Sequence, residues 1–414
     1  MDAERSMSEA LAPMLKRLEI RNFRSCYSTT VTFADSVSAI VGKNGVGKTN
    51  ILKCIEWLAS SSISPVPVSV GEAGNTLQNL DEISTRMLLD IDGHSYDYRL
   101  GISFPNAKGP KRVASLRDSL AVLEVGDRWS AIFRRDGGAI VASGRPEPIR
   151  TAQLTPSIAA LNSLLSESDS VREHLSRISA FFAGVRYYPL QEREGFRDFV
   201  PEQQYVQWVR RYHTEGYLTN SVALRLIYMW SEDKDLCQEL RILLGPDGLG
   251  VLDRFDIIEL DSPVESVQAR AGEALKSKIY LPLFEPSSHM GGAGQPFRFS
   301  ELSVGTRRII RIVTSLLFDR RPLMLMEQPE DSVHAGLLRK LVDLLRSYSD
   351  RSQIVFTTHS TAVLDVLRPE NILLATAPQG RTAVRELLPD EIEGAQCFLK
   401  SEGSLSEFLE PFDE

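Results

Sequence analysis

The sequence predicts an α/β fold of the P-loop NTPase class, with a mixed sheet, helices, and an inserted antiparallel-β and helical region. A complete G-x-x-x-x-G-K-[ST] phosphate loop at 42–49 follows the apolar run 37–41 and precedes a run with helical spacing at 51–58. Two later apolar runs, 322–326 and 353–356, lead into polar residues. Parallel strands bring such residues to one edge of a sheet, so we expect them beside the phosphate loop.

The phosphate loop predicts a binding site for a nucleoside triphosphate. Its glycines let backbone N–H groups turn toward phosphate oxygens, and the N-terminus of the following helix adds positive potential. Lys48 is expected to reach the β- and γ-phosphates, and Thr49 to offer its hydroxyl to Mg²⁺. A chance glycine-rich turn is the alternative, but it would not come with a strand and a helix in register. The predicted nucleotide ligands in this loop are Gly42, Asn44, Gly45, Val46, Gly47, Lys48, Thr49 and Asn50.

Length, charge and cysteine content limit the class of protein. The 414 residues suffice for one large α/β domain with an insertion, or for two domains. The net charge of −8 argues against a general polyanion binder, so any contact with nucleic acid needs a local basic patch. The four cysteines are scattered, which argues against zinc and against a disulfide framework. Without a signal-peptide pattern or an apolar run near the ~20 residues of a bilayer span, we expect a cytoplasmic protein with no membrane partner.

Taken in order, the chain begins with a predicted tail and a hairpin. Residues 1–14 are expected to form a flexible N-terminal tail. The apolar and polar alternation in 15–25 predicts a half-exposed strand, with 31–33 as its hairpin partner. A Ser/Pro/Gly-rich stretch at 60–76, after the phosphate-loop helix, predicts a long loop.

The middle of the chain predicts a meander followed by helices. Alternating runs separated by Asp-Gly turns predict an antiparallel meander over 84–104 and 118–142. Apolar periodicity predicts helices within 150–182 and 203–244, with a strand at 185–190 between them. Aromatic residues in the second helical block favour a packed core over a base-stacking platform. They are Tyr205, Trp208, Tyr212, Tyr217, Tyr228 and Trp230.

The last third of the chain carries the remaining motifs. The segment 299–308 contains L-S-V-G-T and precedes an amphipathic helix that reaches Leu317. The apolar strand that follows ends in E-Q-P-E at 327–330, and the next one ends in T-T-H-S at 357–360. The predicted organisation is a tail at 1–14, an ATPase core at 15–60 and 297–380, an inserted β-meander and helical subdomain at 61–296, and a C-terminal tail at 381–414.

Together these motifs resemble the ABC-type ATPase heads of the RecF/SMC and OLD group, within the broader class of AAA-family ATP-binding proteins. The resemblance rests on I-R-N-F-R-S at 20–25, the phosphate loop, and the three motifs of the last third, so it brackets roughly residues 15–375. Membrane-transporter ATPases contain a similar arrangement of motifs. The N-terminal motif and Thr306 after the signature glycine look like the OLD-type group instead.

The resemblance implies roles for individual residues, with ATP and Mg²⁺ as cofactors. Ser303 and Gly305 resemble signature residues, which in this group contact the γ-phosphate of ATP held by a second protomer; this implies a homodimer with two ATP molecules at its interface. His359 resembles the switch histidine, and a capping or core histidine is the alternative. Gln191 resembles the Q-loop glutamine that joins Mg²⁺ and the attacking water to the inserted domain.

The acidic strand end departs from the Asp-Glu-Pro of most relatives. Here the pair is Glu327-Gln328. Glu327 is expected to serve Mg²⁺ together with Thr49. Gln328 cannot accept a proton as a carboxylate does, but it can orient a water molecule, as glutamine does in small GTPases. Glu330 and His359 are the other candidates for the base, so either turnover is slow or one of these two residues performs that role.

Basic residues form several groups along the chain, and such groups are usually a solvated face. The resembled proteins bind DNA across the strands of the paired heads, so the N-terminal group is the preferred DNA candidate. The groups are Lys16, Arg17, Arg21 and Arg24; Arg134 and Arg135; Arg186, Arg193 and Arg197; and Arg307, Arg308, Arg311, Arg320 and Arg321.

The resulting hypothesis is a RecF/OLD-like ATPase whose ATP-bound dimer regulates DNA processing or a nuclease effector, in anti-phage defence or DNA repair. About forty residues follow Leu374 and no nuclease signature is present, so we expect any nuclease to be a separate chain rather than a fused Toprim domain. The alternative is a catalytically slow, ATP-gated scaffold or sensor that holds and releases a protein effector. A membrane-importer ATPase is disfavoured by the N-terminal motif.

Overall fold

The computed structural model describes residues 12–66, 82–104, 113, 115–151, 154–165, 169–188, 198–215, 219, 221–263, 276–287, 295–401 and 403–409. The chain forms two compact units. The first comprises Met1–Pro189, Arg321–Gln328 and Leu344–Glu414, and the second comprises Leu190–Arg320 and Pro329–Asp343.

The strands and helices are numbered here in chain order. The strands are β1 (Met14–Phe23), β2 (Cys26–Thr32), β3 (Val37–Val41), β4 (Glu82–Ile91), β5 (His94–Ser103), β6 (Ser115–Glu124), β7 (Arg128–Asp136), β8 (Ala139–Ala142), β9 (Ile149–Arg150), β10 (Val185–Tyr188), β11 (Val200–Pro201), β12 (Leu252–Pro263), β13 (Lys276–Pro286), β14 (Phe297–Arg298), β15 (Leu323–Glu327), β16 (Gln353–Thr358), β17 (Ile372–Thr376) and β18 (Ala383–Glu386). The helices are α1 (Lys48–Ile63), α2 (Ser157–Leu164), α3 (Ser170–Gly184), α4 (Glu202–Glu215), α5 (Val222–Ser231), α6 (Lys234–Leu244), α7 (Val304–Asp319), α8 (Ala335–Ser347), α9 (Thr361–Leu364), α10 (Pro389–Lys400) and α11 (Leu405–Leu409).

An eight-stranded antiparallel sheet in the first unit confirms the predicted hairpin and meander. Its order is β2-β1-β4-β5-β6-β7-β8-β9, so β1 pairs with β4 as well as with β2. Strands of this sheet lie on both sides of the predicted domain boundary at residue 60, and that boundary remains a prediction. The inner face packs on α1 and α3, where Tyr98, Leu58 and Phe182 are buried in one hydrophobic core.

A six-stranded sheet carries the predicted parallel strands. Its order is β10-β15-β16-β3-β17-β18, and all neighbours are parallel except β17 and β18. Every residue of β3 and of β16 is buried, as expected for strands covered on both faces. Because β15, β16 and β3 are parallel neighbours, their carboxyl ends lie side by side.

The predicted C-terminal tail is largely structured. Strand β18 extends the six-stranded sheet beside β17, and helices α10 and α11 follow it. The side chains of Leu387, Ala395, Leu405 and Leu409 are buried. The burial of these isolated apolar residues explains why a segment with weak periodicity folds onto the first unit.

The second unit combines helices α4 to α7 with a sheet in the order β11-β13-β12, and β14 pairs with β13. The packed-core interpretation of its aromatic residues is confirmed, because Tyr205 and Trp208 are buried. Trp208 stacks on Tyr212 at a ring-centroid distance of 5.5 Å, and Phe318 from α7 lies 6.1 Å from Trp208. Tyr217 lies outside the described residues.

All four cysteines are free thiols, with Cys26, Cys54 and Cys237 buried and Cys397 exposed, as predicted from their scattered positions. Burial raises the pKa of the Cys26 thiol to about 11, which makes it unreactive at neutral pH. None of the helices in the described part of the chain has both the length and the apolar character that a bilayer span requires.

Candidate functional site

The phosphate loop joins β3 to α1 through a turn that only glycine fits. Gly47 caps α1 with a left-handed φ of 96°. A Cβ atom on Gly47 would lie 1.9 Å from Thr382 Oγ1 and 2.4 Å from Ser25 Oγ. Gly45 also has a positive φ of 86°, but an added Cβ there would meet open space. The loop therefore requires glycine at 47 for both conformation and space.

Lys48 is the buried cation of the loop. Its Nζ donates to the carbonyl oxygens of Gly42 at 2.5 Å and of Lys43 at 2.9 Å, and the residue is only 6% exposed. These carbonyls hold the ammonium group at the start of α1, where helix N–H groups also favour an anion. The arrangement fits a phosphate chain, because the ammonium group can form charge-assisted hydrogen bonds with phosphate oxygens.

A network of side-chain hydrogen bonds that the sequence did not predict supports the phosphate loop. Thr382 Oγ1 donates to the Val46 carbonyl at 2.8 Å and lies 2.7 Å from Ser25 Oγ. Asn50 donates to Ser25 Oγ at 2.7 Å and accepts from Arg24 at 3.2 Å. The amide of Asn50, predicted to contact the nucleotide, is therefore engaged in holding the N-terminal motif and the β17–β18 connection against the loop.

The predicted metal ligands meet although they are far apart in sequence. Thr49 Oγ1 donates to Glu327 Oε1 at 2.7 Å, and the hydroxyl of Tyr187 donates to Glu327 Oε2. A hydroxyl and a carboxylate are hard oxygen ligands of the kind that Mg²⁺ prefers, so the pair fits that ion. When bound, Mg²⁺ would neutralise charge on the phosphates at this position.

Gln328 and His359 form a direct contact at the carboxyl ends of β15 and β16. Gln328 Nε2 lies 2.8 Å from His359 Nδ1. This distance is that of a hydrogen bond between the two side chains, in which the role of Nδ1 depends on the histidine tautomer. The backbone of Gln328 has a left-handed φ of 46°, and its N–H donates to the Thr357 carbonyl at 3.0 Å. This turn aims the amide side chain at His359.

The predicted signature residues lie in the second unit. The Ser303 hydroxyl accepts from the Thr306 N–H at 3.1 Å and so caps α7, and Val304 beside it is 45% exposed. A Cβ on Gly305 would lie 2.2 Å from the Ser332 carbonyl oxygen, which explains the glycine. The start of α7 thus presents a capped helix N-terminus at the surface.

Two other predicted site residues have different outcomes. Glu330 is buried and belongs to the second unit, where its carbonyl accepts from the Val333 N–H at 2.9 Å. Its role as a base remains a prediction. Gln191, the predicted Q-loop glutamine, lies outside the described residues, as do Arg193 and Arg197.

Several members of the predicted basic groups are held in ion pairs. Lys16 pairs with Asp35 and Asp90, Arg135 is buried in an ion pair with Asp118, and Arg308 pairs with Asp331. The strand register instead aligns six arginines on the outer face of the eight-stranded sheet. This arginine face consists of Arg17, Arg21, Arg86, Arg99, Arg117 and Arg134.

Acidic residues neutralise part of the arginine face. Burial by itself would raise the pKa of Asp97, but ion pairs with Arg99 and Arg86 outweigh this effect and lower the pKa. This carboxylate is therefore charged at neutral pH. Glu19 pairs with Arg86 and Arg17, and Glu82 pairs with Arg117. Strand register also places Asp90 on this face, so its six arginines stand against Glu19, Glu82, Asp90 and Asp97, which leaves the arginine face locally basic on a chain of net negative charge.

The fold and the assembled motifs define a P-loop NTPase of the ABC-type head class. Two family profiles match parts of the chain: "AAA ATPase domain" over residues 14–120 and "AAA domain, putative AbiEii toxin, Type IV TA system" over residues 251–365. An SMC head solved with the C-terminal winged-helix domain of ScpA shares the fold with a TM-score of 0.50 at 13% identity, covering 91% of this chain and 99% of that one. The matched profiles and the shared fold agree with the resemblance of this chain to the ABC-type ATPase heads of the RecF, SMC and OLD group.

Curated relatives agree with this assignment. An ATP/GTP phosphatase of Helicobacter pylori is 19% identical over 86% of this chain and 87% of its own length. The Old nuclease of Escherichia phage P2 is 23% identical over 92% of this chain. This chain spans only 62% of that nuclease, so the nuclease activity named there does not transfer with the alignment.

Proposed function

We propose that this chain is an ATP-gated switch that closes into a dimer around two Mg·ATP molecules, hydrolyses them slowly, and thereby controls a separate effector. The observation that carries the proposal is the contact between Thr49 and Glu327 at 2.7 Å, because it joins the phosphate loop to the acidic strand end. Lys48 and His359 complete a set of phosphate-facing groups at the ends of adjacent strands.

The dimer proposal rests on the start of α7. Ser303 and the N–H groups behind it form an anion-binding helix terminus, and the exposed Val304 marks it as accessible. We propose that this terminus binds the γ-phosphate of ATP held by a second copy. Each composite site would then need one phosphate loop and one signature segment from different protomers.

Light scattering with and without Mg·ATP tests this proposal. Wild type should double in mass with ATP. Lys48→Ala should bind no ATP and stay monomeric, because the main positive charge on the phosphates is lost. Ser303→Arg should bind ATP and stay monomeric, because the added side chain blocks the contact in trans and leaves the phosphate loop unchanged. The matched control Ser347→Arg changes an exposed serine of α8 and should dimerise as wild type does.

The control separates a composite site from a general effect of a new arginine. Equal masses for wild type and Ser303→Arg in Mg·ATP would overturn the dimer proposal. Failure of wild type to bind ATP would overturn the proposed function itself.

The contact between Gln328 and His359 favours a second candidate, a scaffold with negligible turnover. Neither group is a carboxylate base, so the closed state would be long-lived. The effector proposal draws on the profile that names the AbiEii toxin and on the phage P2 Old nuclease, which support a role in defence or DNA processing. Measuring the ATPase rate with and without DNA discriminates the ATPase from the scaffold.

A further inference from the structure

Tyr187 contacts the predicted metal ligand from a neighbouring strand. It lies on β10, where it is the register partner of Leu325 on β15, two residues before Glu327. Its hydroxyl donates to Glu327 Oε2, while Thr49 donates to Oε1 of the same carboxylate. Both carboxylate oxygens are therefore held by hydroxyl donors from separate elements. Tyr187 is 7% exposed, so little water competes for this contact.

The contact with Tyr187 restricts the rotation of the long Glu327 side chain. Glutamate has one more rotatable bond than the aspartate it replaces, so an unrestrained carboxylate could leave the orientation that Thr49 shares. A hydrogen bond to the second oxygen removes that freedom. Charge-assisted hydrogen bonds of this kind are about twice as strong as neutral ones.

Lys53 supports the tyrosine from the phosphate-loop helix. Its Nζ lies 3.6 Å from the centre of the Tyr187 ring and donates to Glu56 at 3.0 Å. An ammonium group over the ring attracts the ring electrons and strengthens the phenol as a donor. The contacts thus run from α1 through Tyr187 to Glu327 and back to Thr49 at the start of α1.

We propose that Tyr187 is a positioning residue that orients Glu327 toward the Mg²⁺ of Mg·ATP, an inference that rests on the proposed function of the site. Partners that hydrogen-bond a metal-binding carboxylate typically change metal affinity 10–100-fold when removed. The tyrosine acts through Glu327 and has no required contact with the nucleotide.

Isothermal calorimetry of ATP binding over a range of Mg²⁺ concentrations tests the inference. Tyr187→Phe should raise the Mg²⁺ concentration for half-maximal enhancement of ATP affinity about 10–100-fold. Its ATP affinity in EDTA should equal that of wild type, because the phosphate-loop contacts are intact. The matched control Tyr188→Phe removes the adjacent buried hydroxyl and should titrate as wild type does.

A double-substitution cycle separates positioning from a general structural role. In the Glu327→Asp background, Tyr187→Phe should have little further effect on the Mg²⁺ titration, because the shorter carboxylate loses the tyrosine contact in any case. Lys53→Met, which keeps the aliphatic stem, should shift the wild-type titration in the same direction by a smaller factor.

Three results would overturn the inference. They are a Tyr187→Phe titration equal to that of wild type, an equal loss of ATP affinity in EDTA, and an undiminished effect in the Glu327→Asp background. A wild-type protein that binds no ATP would instead refute the proposed function, so the two failures are distinguishable.

Discussion

At the residue scale, Gln328 is the position where this chain departs most from the resembled proteins. It stands where a glutamate is usual, in a left-handed conformation with φ 46°, and its amide contacts the switch-histidine candidate at 2.8 Å. The contact holds the imidazole ring beside the amide at the carboxyl ends of β15 and β16. Gln328 thus orients a neighbour but cannot take a proton from water.

Gln328→Glu should raise the steady-state ATPase rate by one or more powers of ten. A glutamate would supply general-base assistance, which is typically worth ~10²–10⁴-fold. The dimer lifetime in Mg·ATP should shorten accordingly. Phosphate release and light scattering on the same preparations measure both quantities.

The competing hypothesis assigns the base to Glu330 or to His359. Under it, Gln328→Glu changes little, whereas Glu330→Gln or His359→Ala abolishes turnover. A fast wild-type rate that is insensitive to Gln328→Glu would end the slow-switch hypothesis.

At the element scale, buried ion pairs hold helices in place in each unit. In the first unit, Asp118 of β6 pairs with Arg135 of β7 at 3.3 Å and accepts from the Ser157 N–H at the start of α2 at 2.7 Å. Burial raises the pKa of Asp118 and lowers that of Arg135, so part of the pairing energy offsets desolvation. In the second unit, Arg225 of α5 pairs with Asp319 of α7 at 3.3 Å.

Arg225→Ala should reduce the free energy of unfolding by about 3–5 kcal/mol, because it removes the guanidinium group that pairs with the buried Asp319 carboxylate. Urea denaturation followed by circular dichroism measures the change. Arg241→Ala is the matched control, since its pair with Asp256 has the same 3.3 Å distance but both side chains are more than a third exposed. That substitution should cost less than about 1 kcal/mol.

The double substitution Arg225→Met with Asp319→Leu should recover much of the loss, because it removes both charges together. Equal effects of Arg225→Ala and Arg241→Ala would show that burial does not determine the strength of these pairs.

At the scale of the whole molecule, charge is distributed unevenly. The net charge is −8, yet the arginine face gathers six arginines on one side of the eight-stranded sheet. Exposed arginines aligned on one face of a sheet suit a phosphate backbone, which is recognised through its charge and not through base edges. We propose this face, rather than the N-terminal group alone, as the DNA contact.

Arg21→Glu combined with Arg134→Glu should weaken DNA binding and lower the slope of log affinity against log salt by about two, because each lost phosphate contact removes about one unit. Fluorescence anisotropy at several salt concentrations measures both effects. The control, Arg254→Glu with Lys278→Glu, makes the same change of charge on the β12–β13 hairpin and should behave as wild type does.

Identical isotherms for the two double variants would exclude the arginine face. Wild-type affinity that does not vary with salt would remove DNA from the proposal and leave a protein partner as the cargo.

The sequence alone determined the elements whose chemistry is local. The phosphate loop, its flanking strand and helix, and the two later apolar strands were predicted because turn glycines and continuous apolar runs encode their own geometry. The meeting of Thr49 with Glu327 also followed, since parallel strands place their ends at one edge.

Only the tertiary structure decided which distant side chains support that site. Tyr187 and Thr382 carry no motif that distinguishes them from ordinary strand and turn residues, and the motif that contains Arg24 does not predict its contact with Asn50. The arginine face arises from strand register, since residues from β1, β4, β5, β6 and β7 align only when these strands pair. Hydrogen bonds and ion pairs between residues hundreds of positions apart depend on the packing of the whole chain. Local sequence patterns therefore do not predict them.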